Sequence, residues 1–204
     1  MHDQTPCIDL SQLESVYAPL AESIRRLIDV SIRTEAEPAA VAAAQAKIDA
    51  ATAELSVTAQ PGPVGVHHMP NGQTIAWGNA VVGVRNPVAP PLVIHHDPDG
   101  LVWSEFALGA AYEGPPGHVH GGVCALVLDH VLGATAHQPG RPAYTGTLTL
   151  RYRRRTALGR PLRAQAHVER TEGVKTFAVG YLADEDGVTV EAEGIFIHPR
   201  QSSS

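Results

Sequence analysis

The sequence predicts an α+β domain, an antiparallel sheet wrapped around one central helix, preceded by an N-terminal helical extension. Three observations carry this. Residues 121–137 hold apolar side chains on every side of a helix, and only a helix surrounded by protein can bury them all. Four later segments alternate apolar and polar residues with period two. The first 60 residues instead repeat their apolar positions at helical spacing.

In chain order, Ser11 and Glu14 have capping-box spacing, and Leu13, Val16, Leu20, Ile24, Leu27 and Ile28 recur at helical intervals, so a first helix is expected from Leu10 to Ser31. Pro38 suits the first position of a second helix over the Ala-rich run Ala39 to Leu55, in which Val41, Ala44, Ile48, Ala51 and Leu55 share a face. The two form a helical hairpin extension, residues 1–60, expected to pack over the main domain. The main domain is expected over residues 61–198, with 199–204 a flexible tail.

Gln60 to Gly72 is rich in Pro, Gly and His, which breaks regular structure. Asn79 to Val84 and Leu101 to Leu108 read as strands, separated by the Pro-rich stretch Arg85 to Pro98 and a turn at Asp99-Gly100. The run GPPGHVHGG then leads into the apolar helix Gly121 to His137. Strands follow at Ala143 to Arg154, Pro161 to Thr171, Val174 to Ala183 and Val188 to His198, the last three joined as a meander by short turns. In the first of these, strict alternation puts Thr145, Thr147, Thr149 and Arg151 on one face and Tyr144, Leu148, Leu150 and Tyr152 on the other. One buried helix early in an antiparallel sheet must be wrapped by it, the arrangement called a hotdog fold.

Composition excludes several classes. No apolar run approaches the ~20 residues that span a bilayer. The N-terminus lacks the basic and apolar regions of a secretion signal and the Arg-rich character of a transit peptide, so the expected location is cytoplasmic. Two cysteines, Cys7 and Cys124, offer neither a disulfide framework nor a Cys-rich zinc site. A formal charge of −6, with nine acidic side chains against four basic ones in residues 1–60, argues against nucleic-acid binding.

Candidate chemistry lies inside the apolar helix. Asp129 and His130 interrupt it, and a carboxylate there is costly unless paired, hydrogen-bonded or facing a cavity. At the helix start, Gly121 and Gly122 let a ligand approach the backbone, and free amides at a helix N-terminus suit a developing oxyanion. Gly121 and Asp129 lie eight residues apart. That is about 12 Å of helix, too far for both to touch one reacting carbonyl. If the two cooperate they come from different subunits, two such helices running antiparallel across a two-fold axis.

The run Ala111-Tyr112-Glu113-Gly114-Pro115-Pro116-Gly117-His118-Val119-His120-Gly121-Gly122, followed by Asp129, resembles the acyl-CoA thioesterases of the hotdog superfamily. It is most similar to their phenylacetyl-CoA thioesterase-like branch and to the mammalian mitochondrial thioesterase superfamily members. The resemblance extends from about Arg85 to Ile197, and includes Asn86-Pro87 and Glu191-Ala192-Glu193-Gly194-Ile195-Phe196. It implies hydrolysis of an acyl-CoA to free acid and CoA, with no cofactor, by a homodimer or dimer of dimers. It implies Asp129 as base or nucleophile, Gly121 as oxyanion amide and Thr145 as the residue that positions water. His120 orients the loop or contacts substrate, and Gly122 lies against the substrate. The cluster Arg151, Arg153, Arg154, Arg155, Arg160 and Arg163 suits coenzyme A phosphates, with Arg151, Arg153 and Arg155 the candidates.

Rival readings are weaker. Eleven histidines suggest a metal, but a carboxylate four or five residues after His118-x-His120, as a cupin site needs, is replaced by Cys124 and Ala125, so no metal is expected. Cys124 reads as buried packing rather than a nucleophile. A hotdog hydratase or dehydratase would use other acid-base motifs, absent here. A non-catalytic acyl-CoA-binding regulator would not need Asp129.

Overall fold

The computed structural model describes residues 10–68, 74–137 and 141–199. Cys7 and most of the expected tail, residues 200–204, lie outside the described residues. Helices α1 (Leu10–Arg33) and α2 (Pro38–Ser56) come first. Short strands β1 (His67–His68) and β2 (Thr74–Ile75) form a separate ribbon. The domain proper contains β3 (His95–His96), β4 (Val102–Phe106), α3 (Gly121–Ala136), β5 (Tyr144–Tyr152), β6 (Leu162–Glu172), β7 (Lys175–Asp184) and β8 (Gly187–Ile197). Its six strands form one antiparallel sheet in the order β3-β4-β6-β7-β8-β5, curled around α3. No helix among the described residues is long and apolar enough to cross a membrane.

The helix can sit deep in the sheet because the sheet's inner face carries small residues where the helix is bulky. Ala164, Ala166, Ala178 and Ala192 are buried on that face, together with Gly180 opposite Ala192 and Gly194 opposite Ala178. Leu132 fills the hollow: a Cβ at Gly180 would stand 3.0 Å from Leu132 Cδ1, and one at Gly194 3.1 Å from its Cδ2. Val127, Leu128, Val131 and Leu132 are completely buried. Such burial contributes about 1.5–3 kcal/mol per side chain.

Two local readings need correction. Asn79 to Val84 forms no strand. The Asn79 side-chain oxygen accepts the amides of Val81 (2.8 Å) and Val82 (3.0 Å), and its carbonyl accepts that of Gly83 (3.1 Å), closing a tight turn. An Asn side chain that bonds its own downstream backbone competes with a strand ladder and here wins, while Val81 is still buried in the core. Conversely, His95–His96 pairs with β4 across a turn in which the Asp97 amide donates to the Leu101 carbonyl at 2.8 Å.

The N-terminal helices divide in their role. From α1, the half-buried Arg25 reaches into the loop before β3, where its Nε donates to the Ala89 carbonyl (3.1 Å) and its Nη2 to those of Asn86 (2.9 Å), Gly83 and Val84 (each 3.3 Å). Arg85 answers from the loop, 3.7 Å over the Tyr17 ring. Helix α2 buries no residue and does not pack over the domain as the hairpin reading expects. Only Val41, Ile48 and Leu55 rise above its alanines on the expected face, a stripe with little apolar area to bury.

Removing the guanidinium would take the side-chain donor from all four carbonyls around Arg25, of which those of Gly83 and Asn86 keep a backbone amide. Arg25→Ala is expected to lower the free energy of unfolding in urea by roughly 2 kcal/mol, whereas Arg26→Ala on the exposed side should leave the midpoint unchanged.

Candidate active site

The segment that opens α3 is folded back on itself. The Gly114 amide donates to the His118 carbonyl (2.9 Å), and the Glu113 carboxylate accepts the Gly117 amide (2.7 Å), with Gly117 at φ +72°. Gly114 is required by close approach, since a Cβ there would lie 2.7 Å from the His120 Cα. The Val119 amide donates to the Thr156 carbonyl (2.8 Å), and the His120 amide to that of Tyr112 (2.9 Å), fixing the last residues before the helix.

His120 is the N-cap of α3. Its Nδ1 accepts the Gly122 amide at 3.0 Å, and its carbonyl accepts those of Val123 and Cys124. The hydrogen bonds of His120 thus join the loop to the first turn of the helix. Of the opening amides, that of Gly121 has no hydrogen-bond partner among the described residues. Tyr152 borders it: its hydroxyl donates to the Gly121 carbonyl at 2.9 Å, and a Cβ on Gly121 would meet the hydroxyl oxygen at 3.3 Å and the ring at 3.4 Å.

Asp129 lies two turns further along α3, half-buried, its Oδ1 accepting a hydrogen bond from the Thr145 hydroxyl at 2.8 Å. Strict alternation puts Thr145 on the face of Thr147, away from the helix, and here the structure differs. A bulge at Gly146 breaks the register of β5: Thr145 is opposite Phe196 while Thr147 is opposite Ile195. The extra residue turns Thr145 to the inner face, shared with Leu148, Leu150 and Tyr152, and leaves Thr147 outside with Thr149 and Arg151.

The surrounding groups are held in neutral forms. Burial pulls the His130 imidazole below its ordinary pKa, against the pull of neighbouring Asp129. Burial likewise pushes the Cys124 thiol up, and its Sγ lies 3.8 Å from the Thr156 hydroxyl oxygen, which leaves it a poor nucleophile. His118 Nδ1 is 2.7 Å from the Pro116 carbonyl, so both histidines of the His-x-His pair serve the loop. No group of three or more metal-ligating side chains comes together among the described residues.

Most of the arginine cluster is paired. Arg151 meets Glu193 at 2.7 Å and Arg153 meets Glu191 at 2.6 Å. The Arg153 hydrogen bond holds the Glu191 carboxyl below its usual range. Arg154 pairs with the buried Asp184, Arg160 with Glu185 and Arg163 with Glu105. Arg155 is exposed and makes no ion pair among the described residues. It precedes Thr156, whose carbonyl holds Val119, so of the three candidates it is tied most directly to the loop before Gly121.

The family model for the thioesterase superfamily matches residues 116–191, from the loop before α3 into β8. The chain is 34% identical over 94 residues to acyl-coenzyme A thioesterase THEM4 of Xenopus laevis, and 26% identical over 94 residues to human acyl-coenzyme A thioesterase THEM5. Each match covers 45% of this chain, and 42% and 38% of those relatives, so the chain spans less than half the length of either. The crystal structure of a thioesterase superfamily protein superposes with a TM-score of 0.80 at 33% identity, over 89% of this chain and 90% of that one. A third of the residues shared along nearly the whole of both chains, on one fold, makes this chain a member of the thioesterase superfamily.

Proposed function

We propose that this chain is an acyl-CoA thioesterase, hydrolysing an acyl-CoA to free acid and CoA. The observation that carries the reading is the Thr145–Asp129 hydrogen bond, which presents a carboxylate from an otherwise apolar helix. The names of the curated relatives support acyl-CoA as the substrate class.

A thioester carbonyl is already electrophilic, so two groups suffice. The Gly121 amide at the positive end of α3 stabilises the oxyanion that forms as the carbonyl is attacked. Asp129 either takes the proton of the attacking water or attacks the carbonyl itself; in both routes collapse of the tetrahedral intermediate breaks the C–S bond and releases the CoA thiolate, giving the free acid directly in the first and, in the second, a mixed anhydride on Asp129 that water then hydrolyses to the free acid and the restored carboxylate. Thr145 donates to one Asp129 oxygen, which fixes the other toward the reaction.

Both groups act on one carbonyl only if two chains contribute. In a single chain Gly122, Leu126 and Asp129 form an uncovered stripe along α3, with Leu126 39% exposed, and β5 is an open sheet edge beside it. A second copy brought across a two-fold axis covers that stripe and sets Gly121 of each chain beside Asp129 of the other. Arg155, exposed next to the loop, is the leading contact for the phosphates of CoA.

Asp129→Asn should keep the fold and lower kcat on acyl-CoA by on the order of a thousandfold, read by thiol release; near-wild-type turnover by the folded variant would overturn the assignment. A mixture of Asp129→Asn with Gly121→Trp, each inactive alone, should regain up to about half of wild-type activity per heterodimer, since one site then carries neither lesion. Verified heterodimers without recovery would refute the shared site. Arg155→Ala should raise KM roughly fivefold for acyl-CoA and leave it unchanged for a short thioester lacking the nucleotide; equal effects on both would count against phosphate contact.

A further inference from the structure

We propose that Tyr152 is a positioning residue for the Gly121 amide, acting through the hydrogen bond from its hydroxyl to the Gly121 carbonyl. The need for such a device follows from the sequence. Two consecutive glycines open α3, and glycine gives up more conformational freedom in a helix than any other residue. A first turn built this way frays unless something outside the helix holds it.

Two side chains hold the one planar peptide unit that joins the glycines, since the Gly121 carbonyl and the Gly122 amide both belong to it. His120 Nδ1 takes the Gly122 amide at 3.0 Å, and the Tyr152 hydroxyl takes the Gly121 carbonyl at 2.9 Å. A helix carbonyl in the first turn is already served by the amide four residues on, so the phenol is not needed to satisfy it. What the second donor adds is a fixed orientation. The tyrosine side chain stands 3.3–3.4 Å from where a Gly121 Cβ would be, close against that side of the residue.

Burial of apolar area does not explain the tyrosine, because it is 55% exposed. Its hydroxyl nevertheless stays a donor: desolvation pushes the phenol pKa up, and the nearby Cys124 adds to the shift. Position in the strand is equally telling. Thr145 and Tyr152 share the inner face of β5, one bonded to the Asp129 carboxylate and the other to Gly121. One strand therefore sets both reactive elements of α3, and the amide is held for the oxyanion before substrate arrives.

This inference rests on the thioesterase reading, and the test separates the two. Tyr152→Phe keeps the ring and removes the donor. It should lower kcat on acyl-CoA roughly tenfold while KM and the thermal midpoint stay close to wild type, and exchange of the Gly122, Val123 and Cys124 amides should quicken by a similar factor. Affinity for a trifluoromethyl ketone analogue of acyl-CoA, which mimics the tetrahedral intermediate, should fall with kcat, while affinity for CoA itself holds. Unchanged kcat in Tyr152→Phe, or kcat, KM and thermal midpoint moving together as for a general structural role, would overturn the proposal. If the wild-type chain hydrolyses no acyl-CoA, the thioesterase reading falls instead, and amide exchange alone decides whether Tyr152 holds the helix start: unchanged exchange refutes it.

Discussion

A helix with apolar side chains on every side loses stability wherever it faces water, and the rest of the domain is arranged to cover most of its length. Five long or middle-length strands curl around α3, and their inward residues are cut down to alanine and glycine where its leucines press closest. Enclosure is incomplete along one stripe, where Gly122, Leu126 and Asp129 look out past β5. The carboxylate of the helix, Asp129, is found there, where it costs least. Placement of the candidate chemistry is thus set by the geometry of burial.

The edge strand β5 ties that stripe together. Its inner hydroxyls meet α3 at two points, and its outer face carries Arg151 paired with Glu193 on the neighbouring strand. Charge along this part of the sheet is largely cancelled by such pairs, which at exposed positions contribute little to stability. Their effect is local: they occupy arginines that composition alone presents as a basic patch, and leave Arg155 as the exposed cation beside the loop.

The sheet meander, the central helix and the place of Asp129 inside its apolar run were legible in the sequence because each rests on a period or a residue type that local chemistry dictates. What escaped were features decided by a single interaction. The Asn79 side chain converts an apparent strand into a turn. The bulge at Gly146 changes the parity of β5, so that Thr145 and Thr147, two apart in sequence, look to opposite sides. Glycine in a strand is the one sequence signal for it, and it marks a bulge as readily as a plain weak point. Tyr152 reads as an apolar-face residue; nothing in a period of two says that its hydroxyl will reach the helix start. The exposure of α2 turned on apolar area rather than on helical propensity, which its alanines supply in abundance.

The contact between Gly121 and the ring of Tyr152 also bears on how such chains can drift. Gly62 and Gly65 face open space, their left-handed backbone being what disfavours another residue. At Gly121 the backbone is an ordinary helix and the obstacle is a neighbour 31 positions away in the chain. A methyl group admitted at 121 would stand 3.3–3.4 Å from the tyrosine side chain, so the side chain must yield by a few tenths of an ångström, and a smaller residue at 152 would relieve the contact at the loss of the hydroxyl. The room available at position 121 is therefore set by the side chain at position 152 rather than by the local backbone.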